Sequence, residues 1–144
     1  MMATYILDTN ILRELYVPTP NEKFKHWFTR QEQESFHITT FNIAEIRYGV
    51  EKLPPGKKRH DIEIWLNNIL LPNFNGRILT FDIKSAQAWG VMTAHNTKTG
   101  RPRPHMDSLL ASIAIAHDMI LVTRNIKDFS GLDIELINPF GDPK

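Results

Sequence analysis

Asp8, Glu45, Asp107, Asn125 and Asp128 are the side chains of this sequence whose types and settings suit chemistry best. The stretch YILDTNIL, residues 5–12, ends a hydrophobic strand-like run on Asp8 and follows it with Thr9 and Asn10. An aspartate there has two readings: an N-cap for the helix that NILRELY suggests, or a carboxylate set at the mouth of a buried strand. Asp107 opens the segment MDSLLASIAIAH, which is apolar nearly all round, and its i+4 and i+7 neighbours are Ala111 and Ala114. A carboxylate on the small-residue face of a deeply packed helix needs a partner; the plainer reading is an N-terminal acid favoured by the helix dipole. In FNIAEIRYGV the stripe Ile43, Ile46 and Val50 alternates with a face carrying Asn42, Glu45 and Gly49. Glu45 is then either a surface partner for a nearby base or a further member of a site.

Carboxylates gathered at about 4 Å repel by several kcal/mol per pair at an effective dielectric of about 20, so a cluster needs a counter-charge. The motifs themselves fix no lysine beside the acids and set no histidine at a ligand-like spacing from them. A hard divalent cation is the natural counter-ion, and all-oxygen ligation favours Mg²⁺ or Mn²⁺ over Zn²⁺. Thr9, Asn10, Thr123 and Asn125 are placed to orient the carboxylates and the waters of such an ion.

What brings these residues together is the order of the elements. Short β-like runs at 4–7, 35–39, 76–81, 119–123 and 134–137 alternate with helical patterns at 9–16, 20–33, 40–51, 56–71, 83–97 and 105–117. That alternation is the mark of βαβ units and a parallel sheet covered by helices on both faces. Pro72 is expected to end the fourth helix, whose stripe is Ile62, Trp65, Leu66 and Ile69. Asp82 reads as an N-cap, and Met106, Leu109, Leu110, Ile113 and His117 read as a core face. Phe24, Trp27 and Phe28 recur at helical spacing and are read as core packing. In an open parallel sheet ligands bind beyond the carboxyl ends of the strands. Asp8, Glu45, Asp107, Asn125 and Asp128 all fall at that rim, although they come from distant parts of the chain.

The chain of 144 residues is expected to form one domain, 1–144, without disulfides, since it has no cysteine; thiolate zinc sites and cysteine nucleophiles are excluded with them. It lacks an apolar run of membrane-spanning length and the layout of a signal peptide, which fits a cytoplasmic protein with no membrane partner. A net charge of +1 gives no strong overall field for nucleic acid, so any polyanion contact must be local. PPGKKRH (54–60) and KTGRPRPH (98–105) are the densest basic stretches, and Arg47, Lys57, Lys58, Arg59, Arg101 and Arg103 are the candidates for contacts to a nucleic-acid backbone.

LDTNIL, TTFNIAEIRYGVEKLPPGKKR, GRILTFD, MDSLLASIAIAHDMILVTRNIKDF and INPF, in that order, resemble the PIN-domain ribonucleases, in particular the VapC-type toxins and their FitB-like subgroup. The match runs from about Tyr5 to Phe140. The resemblance implies a PIN-like three-layer α/β/α sandwich with a central parallel sheet of four to five strands. It implies Mg²⁺- or Mn²⁺-dependent endoribonuclease activity, leaving 5′-phosphate and 3′-hydroxyl ends. An extended groove across a dimer would favour single-stranded or looped RNA, tRNA or another structured RNA being a candidate substrate. It also implies a homodimer, neutralised in a larger complex by a VapB-like antitoxin that alone contacts operator DNA. Asp8, Glu45 and Asp107 match the first three family acids, with Asp8 and Asp107 as metal ligands and Glu45 a ligand or water-orienting base. Where several members carry a fourth acid directly after TR, this chain has Asn125, and Asp128 is the nearest carboxylate. Either Asn125 holds a metal-bound water while Asp128 helps through solvent, or Asp128 only caps.

Two other readings compete. One is a catalytically inactive PIN-like module that binds RNA or protein, with Asn125 marking decay of the site. The other, a phosphoaspartyl enzyme or receiver using Asp8, lacks the paired acid and lysine it needs.

Overall fold

Residues 2–141 are described by a computed structural model. Its strands β1 (Tyr5–Leu7), β2 (Phe36–Thr39), β3 (Ile78–Leu79), β4 (Ile120–Val122) and β5 (Leu136–Ile137) pair in the order β3-β2-β1-β4-β5. Every pairing is parallel, so each connection must cross over a face of the sheet, and helices do this. The chain steps outward from β1 through β2 to β3, then returns to the other side of β1 for β4 and β5. The order therefore reverses between β1 and β4, and a crevice is expected at their carboxyl ends.

Alternation along β1 divides the core in two. Tyr5 and Leu7 enter one apolar cluster with Phe36, Ile38 and Val122, while Ile6 enters the other with Leu121. The first cluster is closed by α1 (Thr9–Tyr16), α2 (Glu22–Thr29) and a long helix beginning as α4 (Lys57–Trp65), the second by α6 (Ile83–Lys98) and α7 (His105–Ala116). The result is the expected three-layer α/β/α sandwich. Aromatic side chains fill the first cluster: Phe28 stacks on Phe36 at 4.5 Å between ring centroids, and Phe24 stacks on Phe140 at 5.6 Å.

Three expectations need correction. The helix expected over 20–33 runs only from Glu22 to Thr29, with Asn21 Oδ1 capping Phe24 N–H at 3.0 Å. Thr29 Oγ1 donates back to the carbonyls of Lys25 and His26, competing with the helical ladder, and a short 3₁₀ turn, Gln33–Ser35, leads into β2. Pro72 does not end the fourth helix. A π-helical stretch, Leu66–Leu70, follows α4 and lets Leu71 N–H reach back to Leu66 O, and α5 (Leu71–Asn73) carries the chain through the proline in the widened turn. The extra residue rotates the helix, so Leu70 is buried and Ile69, read as core, is 49% exposed. His117 is likewise not in the core. It is exposed just past α7, where Nε2 meets Asp82 Oδ2 at 2.9 Å; Asp82 Oδ1 meanwhile caps α6 through Ser85 N–H, as expected.

Candidate active site

β1 ends at Leu7, and Asp8 N–H bonds to Val122 O at 2.9 Å, so the backbone of Asp8 is pinned to β4 at the point where strand order reverses. Asp8 is buried, at 8% exposed. Oδ1 accepts from Thr9 N–H at 2.7 Å, and Oδ2 accepts from Thr123 Oγ1 at 2.8 Å and Asn10 Nδ2 at 3.3 Å. Asp8 is thus the cap of α1 and also a carboxylate fixed in the crevice: both readings of the sequence hold at once. Burial pushes its pKa up, the hydrogen bonds from Thr123, Thr9 and Asn10 pull it down, and the charge of Asp128 raises it further.

Glu45 comes from α3 (Thr40–Lys52), which starts directly after β2. Thr39 and Asn42 form a reciprocal capping box there, Asn42 Oδ1 accepting from Thr39 N–H at 2.7 Å and Thr39 Oγ1 from Asn42 N–H at 3.3 Å. The fully buried Asn42 then donates Nδ2 to Thr9 Oγ1 at 3.1 Å, and Thr9 Oγ1 donates to Glu45 Oε1 at 2.8 Å. Thr9 therefore links the two acids, its N–H on Asp8 and its hydroxyl on Glu45. The part of Asn42 in this chain went unread in the sequence, although a Thr followed three residues later by Asn was visible as a capping signal. Glu45 has an open face to solvent, yet the protein around it raises its pKa against the lowering bond from Thr9, with Asp8 adding to the rise.

Asp107 lies in the first turn of α7, half-buried, above Ala111 and Ala114, which are 0% and 1% exposed. Burial pushes its pKa up to about 6, and the charges of Asp128, Asp8 and Glu45 add to the rise. Asp128 projects from α8 (Ile126–Phe129) into this field. Asn125 sits before α8, its N–H on Thr123 Oγ1 at 3.0 Å, so Thr123 ties the Asn125 backbone to the Asp8 carboxylate. The side chain of Asn125, the N-cap residue, makes no cap hydrogen bond to α8, and Asp128 is the acid of its first turn. Among the described residues none of these four acids forms an ion pair. The donor set is all oxygen and short of positive charge, which suits a hard divalent cation, although no three of the side chains are gathered into a metal-holding group among the described residues.

The PIN domain model matches residues 5–134. This chain belongs to the PIN-domain family. Over 135 residues it is 29% identical to the VapC ribonuclease Y4jK of Sinorhizobium fredii, covering 94% of this chain and 96% of that one. With Toxin FitB of Neisseria gonorrhoeae it shares 31% identity over 137 residues, 95% and 99% of the two chains. Among solved structures it is similar to a chain of the FitAB complex bound to a DNA fragment, with a TM-score of 0.88, 30% identity, and 98% and 99% of the two chains covered. A chain of the DNA-bound VapBC2 complex of Rickettsia felis gives a TM-score of 0.73 at 28% identity, with 94% and 98% covered.

The basic candidates of this PIN domain divide into two groups. Arg47 pairs with Glu63 at 2.7 Å and Glu51 at 3.4 Å, Arg59 with Glu51 at 3.0 Å, and Lys57 with Asp61 at 2.7 Å. These three are already partnered, and the Arg47 and Arg59 pairs tie α3 to α4. Lys58 lines a cleft of about 560 Å³ that runs from Thr9 and Glu45 toward Tyr16 and Trp65. Arg101 and Arg103 line a separate pocket of about 430 Å³ that includes Asp128.

Proposed function

We propose that this PIN domain is the toxin of a toxin–antitoxin pair and an endoribonuclease that hydrolyses RNA phosphodiesters at the acidic crevice. The carrying observation is that carboxylates from the end of β1, α3, α7 and α8 feel one another's charge at the reversal point of the sheet, with no ion-paired cation among the described residues. Structural residues do not gather like charges without compensation.

Asp8 and Asp107 would hold a divalent cation, Mg²⁺ or Mn²⁺, with Glu45 as a further ligand or as the base. Bound there, the ion would supply a lowered water pKa and positive charge for the phosphate and leaving oxygens. Asp8 is held rigid for this role by Thr123, Asn10 and Thr9. Glu45 is hydrogen-bonded at Oε1 by Thr9, which leaves Oε2 to accept the proton of an attacking water, and burial raises its pKa, which makes it a stronger base. Water attack breaks the bond to the 3′ oxygen and leaves 5′-phosphate and 3′-hydroxyl ends. Asp128, rather than the Asn125 amide, is the fourth carboxylate, since its charge reaches both Asp8 and Asp107.

A VapB-like antitoxin is the expected partner, as the FitAB and VapBC complexes suggest. It would cover the cleft whose wall is apolar near Trp65 and whose end is Glu45, silencing the enzyme and contacting DNA on behalf of a homodimer of this chain.

The test incubates partner-free protein with total RNA in Mg²⁺, Mn²⁺ or chelator, beside Asp107→Asn. Metal-dependent cuts at discrete sites with 5′-phosphate ends, absent in the variant, are expected. Cyclic-phosphate ends would refute the mechanism, and no cutting by folded protein would favour the inactive binding module.

A further inference from the structure

The pocket beside Asp128 has a composition the acidic site does not account for. Arg101, Arg103 and Lys127 converge on it, against the single carboxylate of Asp128. Among the described residues none of the three cations forms an ion pair. Arg103 is instead held by neutral acceptors: Nη1 donates to Asp128 O at 2.9 Å and Nη2 to Ser130 O. Its charge is thus positioned but not neutralised, and its Nε is buried without a hydrogen-bond partner among the described residues. Pro102 and Pro104 flank it and limit the backbone freedom of the loop. Across the pocket, Gly131 has φ +83°, and a Cβ there would lie 3.4 Å from Arg103 Nη2 and 4.0 Å from Arg101 Nη1. These are ordinary contact distances, so it is the positive φ that favours glycine in this turn, beside both guanidinium groups.

Two guanidinium groups from one proline-flanked loop and an ammonium from α8 make a site for a phosphate. Its shared wall is Asp128, whose charge is also felt by Asp107 and Asp8. A strand whose scissile phosphate lies among the acids would therefore carry a neighbouring phosphodiester to this pocket, where the cations also offset the repulsion of Asp128. We propose that Arg101, Arg103 and Lys127 form a backbone subsite that grips a phosphodiester of single-stranded RNA adjacent to the one cut. The inference rests on the endoribonuclease reading and extends it to how the substrate strand is laid in register. Lys127, absent from the basic stretches that stand out in the sequence, is its new member.

Among the described residues the exposed side chains of Arg101 and Lys127 make no hydrogen bond, and their backbone bonds survive substitution, so Arg101→Gln and Lys127→Gln are suitable variants. Binding of labelled single-stranded oligoribonucleotides of three unrelated sequences would be measured in chelator across a salt series, and cleavage would be measured in Mg²⁺. Each variant is expected to bind about tenfold more weakly on all three sequences, with the slope of log affinity against log salt reduced by about 0.7. KM should rise more than kcat falls. If the variants bind less tightly but wild-type protein cuts nothing, the subsite stands and the nuclease reading falls. If wild-type protein cuts while affinity, salt slope and KM match in the variants, the subsite is overturned and the nuclease stands.

Discussion

Asp107 is half-buried among like charges, and the consequence can be read as stability. Its folded pKa of about 6 lies above its ordinary 3.8, so the folded state binds the proton more tightly. This group therefore favours folding at low pH and loses that contribution as pH rises from about 4 to about 6. In chelator at pH 7, Asp107→Asn should raise the stability by about 1 kcal/mol once solvent screening on the exposed side is discounted. The gain should shrink toward pH 4; thermal melts across that range decide it, and an unchanged or lowered melting temperature at pH 7 would show that Asp107 is not destabilised by its burial among like charges. Thr9 makes a complementary case. Thr9→Val removes the hydroxyl between Glu45 and Asn42 but keeps the N–H on Asp8, so the fold should survive while cleavage falls about tenfold or more. The acids themselves were readable in the sequence because each broke a local pattern: Asp8 ended an apolar strand, and Asp107 opened a helix apolar on all sides. Asn42 and Lys127 broke no such pattern, and only the meeting of distant segments gives them their places.

At the scale of elements, period and caps carried most of the information. Asp82 was readable as the cap of α6 and proves to hold His117 as well, which ties the start of α6 to the end of α7. The hydrogen bonds from Ser85, with the help of His117, hold its pKa down at about 2. Its stabilising contribution should be complete above the ordinary pKa near 4 and vanish as pH falls through about 2. Asp82→Ala should then lower the melting temperature at pH 7 and match wild type near pH 2, if both remain folded there. The π-helical stretch was not readable, because a 3.6-residue period projects Ile69 inward and only the widened turn exchanges it for Leu70. Leu70→Ala should cost about 2–5 kcal/mol and Ile69→Ala under about 1 kcal/mol, measured by denaturant unfolding. Equal effects would argue for a regular helix through Pro72.

Across the whole molecule, five short strands suffice because one rigid parallel sheet brings residues more than 110 positions apart to the same rim, as Thr123 and Asp8 show. β1 lies at the centre and contributes to both apolar clusters, so the layers should unfold together in a single cooperative transition by near- and far-UV dichroism. The alternation of strands and helices made this architecture readable in advance; the cleft and the basic pocket were not, since both arise where helices and loops from separate units meet. On the proposed reading Asp8, Glu45, Asp107 and Asp128 serve one cation site. Calorimetric titration of Mn²⁺ into partner-free protein at pH 7.5, beside Asp107→Asn and Asp8→Asn, tests it most directly. Saturable binding that weakens at least tenfold in each variant is the expected result; no binding, or binding indifferent to both substitutions, would contradict it.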